Sequence, residues 1–206
     1  MNQQVEDIKV IREMMEKSVK FQSFNGLSIV IAGIIAVIGA VFAYFYLLGD
    51  PSLSNYNHAQ ELTVLFADAM VVLGISGVVI TFFCWQKAKQ NHQSLFNTTT
   101  KRAAYNLLVP LAAGGIFALI FLLRGNMEIV ISSTLLFYGL GLVNASKYMF
   151  PEIHYLGIIE IVLGLIAAVL THYGLLAWTL GFGFFNILFG VIMYIKYEVR
   201  DKKQKK

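Results

Sequence analysis

Six long apolar runs dominate this chain, at residues 26–48, 62–85, 103–123, 129–145, 153–171 and 175–195. A helix needs about 20 apolar residues to cross the hydrocarbon of a bilayer. All six runs approach or exceed that length, the fourth being the shortest. Within hydrocarbon the backbone must satisfy its own polar groups, and a continuous apolar run does so as a helix. The expected fold is therefore an all-α membrane protein with six transmembrane helices. The polar connections between most of the runs are short, as antiparallel neighbours require, so the helices read as three tandem hairpins.

Composition agrees with that class. Hydrophobic residues make up 57% of the chain and charged residues 14%, against roughly 45–50% and about 25% in soluble domains. With 206 residues, most of the length is consumed by the spans, and three segments follow: 1–25, a cytoplasmic amphipathic helix; 26–196, the transmembrane bundle; and 197–206, a basic cytoplasmic tail. No basic start, short apolar core and small-residue cleavage site come before residue 26, so the first span itself is expected to direct insertion. The single cysteine, Cys84, allows neither an internal disulfide nor a zinc framework and argues against redox chemistry.

The net charge of +4 is distributed as a topology signal. Fifteen of the sixteen Lys and Arg residues fall on one side of the six spans: Lys9, Arg12, Lys17, Lys20, Lys87, Lys89, Lys101, Arg102, Lys147, Lys196 and those that follow. Arg124 alone falls on the other. By the positive-inside rule both termini are cytoplasmic. A nucleic-acid partner would need a basic face on a soluble element, and none is present. Tyr44, Tyr46, Tyr173 and Trp178 mark outer ends, and Trp85, Tyr105, Tyr148, Tyr155, Tyr194 and Tyr197 inner ends, as amphipathic rings do at headgroup level. Ahead of the first span, Val5, Ile8, Ile11, Met15 and Val19 recur at helical spacing, and Glu13–Lys17 and Glu16–Lys20 form i,i+4 pairs. This segment is expected to lie on the membrane face, cap the bundle or dock a cytoplasmic partner.

Small residues mark where helices meet, because association in lipid depends on close van der Waals approach. Ser28, Ala32, Ala36 and Ala40 form one stripe, and Gly157, Glu160, Gly164 and Ala168 another. Gly26 and Gly33 in the first run match Gly157 and Gly164 in the fifth, and "GLGLVN" ending at Asn144 matches "GFGFFN" ending at Asn186, which suggests an internal repeat. The two GxG triplets lie inside apolar helices with no preceding strand, so they are not nucleotide loops.

Glu160 is the exception in this chemistry. It stands seven residues beyond Ile153, roughly 10 Å below the inner surface at the rise of a helix. A charge at such depth costs on the order of 3 kcal/mol, so Glu160 is expected to face the bundle, with Asn186, Asn144 and Lys147 as candidate partners. It serves either as interhelical glue, as an acid that takes up and releases a proton, or as a ligand contact. Asp68 enters the second span from the outer side, where Arg124 is a candidate ion-pair partner. His58, His92, His154 and His172 lack the i,i+4 partner of a helical metal site, and no serine or cysteine has a recognisable base. No cofactor, metal site or catalytic constellation is expected.

The strings "IREMMEKSVKF", "TKRAAYNLLVPLAAGGIFALI", "FYGLGLVNASKY" and "YGLLAWTLGFGFFNILFGVIMYIKYE" together resemble an uncharacterised family of small six-helix inner-membrane proteins from bacteria of the Bacteroidetes type. The resemblance covers nearly the whole chain and implies fold and location. In that family a histidine commonly occupies the position of Asn186, which cannot relay a proton as an imidazole does. Gly157 with Gly164, followed by "GFFNILFGVIMYI", is also similar to the hairpin repeat of the acid-resistance membrane protein family. These features point to a non-enzymatic structural or interaction protein of the bacterial inner membrane, related to envelope stress, with lipid and a membrane or cytoplasmic protein as partners. The alternative is a small proton-linked transporter or permeability factor using Glu160. The oligomeric state is not legible.

Overall fold

The structure is a computed structural model that describes residues 26–48, 58–90 and 98–199. The amphipathic segment at 1–25 and the last residues of the basic tail lie outside the described residues. Within them are six helical spans long and apolar enough to cross a membrane. They are α1 (Gly26–Leu48), α2 (His58–Gln90), α3 (Thr98–Leu123), α4 (Met127–Ala145) and α5 (Pro151–Val169). The sixth, α6 (Thr171–Val199), is composite. A 3-10 turn, Thr171–Tyr173, leads into α-helix at Gly174–Trp178, π-helix at Thr179–Phe185, α-helix at Asn186–Met193 and π-helix at Tyr194–Val199.

Local chemistry sets the boundaries. α3 ends in a left-handed glycine, Gly125, with φ 75°. Its N–H donates to Leu122 O at 2.9 Å, and that of Asn126 donates to Phe121 O at 3.0 Å. The two bonds satisfy carbonyls that the end of a helix otherwise orphans, in the Schellman arrangement. At the other end of α4, Ser146–Tyr148 tightens into a 3-10 turn. Phe150 is then extended before Pro151, which occupies the first turn of α5, where proline's missing N–H costs no hydrogen bond. Pro110 lies inside α3, as membrane helices tolerate.

Packing follows the small residues. The most extensive interfaces are α4 with α5, α3 with α4, α1 with α6 and α1 with α2. Between α4 and α5 the backbones nearly touch. A Cβ added to Gly139 would lie 2.6 Å from Gly157 O, and one added to Gly157 would lie 2.8 Å from Gly139 O. A turn or two away, a Cβ on Gly164 would lie 3.1 Å from Ser132 O, so α4 and α5 run antiparallel. The interface of α1 with α6 repeats this device: Gly26 faces Gly190 and Gly33 faces Gly183. On α5 the buried face is Leu156, Gly157, Glu160, Gly164 and Ala167, whereas Ala168, expected on that face, is exposed. Spacing by four drifts off the 3.6-residue turn, and a full extra turn returns to Ala167 instead.

Two apolar clusters fill the interior. One joins Ile29, Cys84, Ala103, Leu142, Met149, Ile153, Leu156 and Met193. The other joins Leu135, Ala167 and Ala177, with Leu163, Trp178 and Phe182 against them. Trp178 packs beside Phe182. The outward surface is apolar: Ile38, Leu73, Val78, Ile116 and Val169 are among many large exposed side chains. Water would tolerate no such continuous surface, and lipid does.

Candidate functional site: a carboxyl sealed between α4, α5 and α6

Glu160 lies between the two apolar clusters, since Leu156 belongs to one and Leu163 packs on the other. Its position on α5 places it on the same face as Gly157 and Gly164, and that face is pressed against α4. The side chain is 0% exposed. Among the described residues, neither Oε1 nor Oε2 has a hydrogen-bond partner. An unpaired buried polar group costs about 1–3 kcal/mol, and more when charged, so this carboxyl is an energetic liability held in place by its surroundings.

Those surroundings come from α4 and α6. Gly181, in the π-helical segment, supplies the room: a Cβ there would collide with Glu160 Oε2 and with Leu135. Beside it is a polar pair. The Tyr138 hydroxyl of α4 donates to Asn186 Oδ1 at 3.1 Å, and Asn186 Nδ2 donates to Phe182 O at 3.1 Å. A longer contact of 3.5 Å runs from the same nitrogen to Gly181 O. Tyr138 is within electrostatic reach of Glu160. An aromatic column reinforces the site, with Tyr138 stacked on Phe182 at 4.8 Å between ring centroids and Trp178 tilted against Phe182 at 5.0 Å. Segments of π-helix of this kind frequently accompany functional sites.

Of the residues singled out in the sequence, the structure gathers Glu160 and Asn186 into one cluster without a direct bond between them. Asn144 is half-buried and Lys147 exposed in the turn after α4; neither hydrogen-bonds Glu160. Asp68 and Arg124 form no ion pair. The carboxylate of Asp68 lies against α1, 3.4 Å from where a Cβ on Gly39 would stand. Arg124 is exposed, its guanidinium 5.9 Å from the centre of the Phe121 ring. Shared depth suggested the pairing, but the two side chains point to different neighbours.

Tyr138 was not singled out. The signal was a hydroxyl-bearing ring inside an apolar run, away from either boundary. Also unanticipated was a set of contacts at the end of α6, where Lys196 and Tyr197 reach α5 and Glu198 reaches α2 and α1. Glu152 of α5 accepts from Lys196 and from the Tyr197 hydroxyl, the latter at 3.0 and 3.1 Å. Glu198 accepts from Lys87 of α2 at 3.3 Å and from the N–H of Gly26 at 3.0 Å. The end of α6 thereby pins α5, α2 and the start of α1.

Among the described residues, no three His, Cys, Asp or Glu side chains converge to hold a metal ion. Compared with known protein families, characterised proteins and solved structures, the chain matches none.

Proposed function

We propose that this chain is a non-enzymatic protein of the bacterial inner membrane, with both termini cytoplasmic and its helices in three tandem hairpins, acting through contacts with another membrane or cytoplasmic protein. The observation that carries the reading is the sealing of Glu160. A transporter whose working acid lies at this depth needs a hydrated path to it, whereas here the carboxyl is closed in by Gly181, Leu135 and the glycine-seated interface of α4 with α5. The fifteen-to-one partition of basic residues supports the topology.

Purified full-length chain reconstituted in proteoliposomes with an internal pH-sensitive dye tests this reading against proton-linked transport. Proton entry no faster than in protein-free vesicles is the expected result. Entry that is fast in the wild type and lost in Glu160→Gln would overturn it in favour of the transporter. Crosslinking in native membranes is then expected to yield a stoichiometric partner.

A further inference from the structure

Among the described residues, both oxygens of Glu160 lack a hydrogen-bond partner, although the side chain is fully buried. Something must neutralise this carboxyl, and the geometry limits what can. Among the described residues, no Lys, Arg or His side chain forms an ion pair with it. From α4 the titratable group facing it is Tyr138, whose hydroxyl hydrogen is committed to Asn186. From α6 come only Gly181 and the amide of Asn186, which is itself bonded to Phe182 O. On its own helix the nearest ionisable residues are Tyr155, which is exposed, His154, exposed beside Ser146, and Glu152, engaged by Lys196 and Tyr197. On the Gly181 side there is no room for a metal cation or a water molecule, since Oε2 already fills the place a Cβ on Gly181 would take, with Leu135 beside it. The one ligand that cancels a carboxylate's charge and occupies no space is a proton.

We propose that Glu160 is an intramembrane proton-binding site: the packed bundle is its protonated form, and loss of the proton moves the π-helical segment Thr179–Phe185 off α5 so that water reaches the carboxylate. Two features make that segment the moving part. Its π-helical backbone holds an extra residue per turn, which can be shed by local rewinding, and Gly181 and Gly183 leave it without side chains to lock against α5 and α1. The proton passes to the water admitted, and the segment's displacement separates Tyr138 from Phe182. No transport is implied, since uptake and release through one side suffice. The inference therefore stands apart from the interaction role proposed above.

The test uses full-length protein in lipid bilayers. Infrared difference spectra between wild type and Glu160→Gln at neutral pH are expected to contain the carbonyl stretch of a protonated carboxylic acid. Trp178, 5.0 Å from Phe182, reports on the segment in a Trp85→Phe background. Its emission is expected to change in a one-proton transition on raising the pH. Glu160→Gln should abolish the transition, and Glu160→Asp, which keeps a carboxyl, should retain it at a shifted midpoint. Carboxylate bands in place of the acid band at neutral pH would overturn the proposal, as would an unchanged transition in Glu160→Gln. Absence of any transition in the wild type below the pH at which the chain unfolds would overturn it as well.

Discussion

At Gly181 a single methyl group separates a tolerated carboxyl from a clash. Gly181→Ala places its Cβ onto Glu160 Oε2 and Leu135, and overpacking of that kind costs about 1–3 kcal/mol. The expected outcome is a lowered thermal midpoint in detergent, recovered in large part by adding Glu160→Ala, because the two residues share one contact and their effects should not add. Tyr138→Phe removes the donor to Asn186 Oδ1 and is expected to cost roughly 0.5–2 kcal/mol, the range for interhelical hydrogen bonds in membranes; chemical unfolding in mixed micelles would measure it. The inward direction of Glu160 was legible from its glycine neighbours, since small residues at i±3 and i±4 share its face. Its partners were not. Sequence gives the depth of a residue along a helix but not the side from which other helices arrive. For that reason the sequence offers Asn144 and Lys147 as partners as readily as Asn186, and does not mark Tyr138.

Between elements, the glycines divide into two kinds that look alike in the sequence. Gly139, Gly157 and Gly164 have backbone atoms of the facing helix within 2.6–3.1 Å of an added Cβ, whereas Gly74, Gly77 and Gly115 have nothing within 4 Å. Alanine at Gly139 or Gly157 should therefore force α4 and α5 apart. At Gly74 or Gly115 it should be neutral or stabilise by roughly 0.5–1 kcal/mol, because glycine weakens a helix interior. Thermal midpoints of these four variants should fall into two groups, and a single group would remove the close-packing account of the interface. The spans themselves are legible because apolar run length marks them. The π-helical stretches of α6 are not, since an apolar run reads the same whether its backbone winds as α or as π.

For the molecule as a whole, the contacts at the end of α6 tie together helices that are remote in sequence. Glu198→Ala removes the acceptor for both Lys87 and the Gly26 N–H. Faster amide exchange at the start of α1 is the expected result, with little change at Glu160's level; uniform acceleration would mean that the bundle is held elsewhere. Topology can be checked by cysteine accessibility in a Cys84→Ser background, where Asn2→Cys and Lys205→Cys should react only from the cytoplasmic side, and Arg124→Cys only from the opposite one. Six spans and their order were evident from composition and run length. Which helices adjoin was only half evident: stripes of small residues announce a close approach without naming the partner, so the pairing of α1 with α6 emerged from the structure alone.

That pairing has a consequence for how the protein is made. Gly26 and Gly33 of α1 find their counterparts in Gly190 and Gly183 of α6, more than a hundred residues later, so α1 leaves the ribosome well before the helix that matches it. Until α6 follows, the narrow glycine face of α1 has only lipid or an insertion factor to cover it. A chain halted before α6 would keep that face uncovered and give membrane quality control something to recognise.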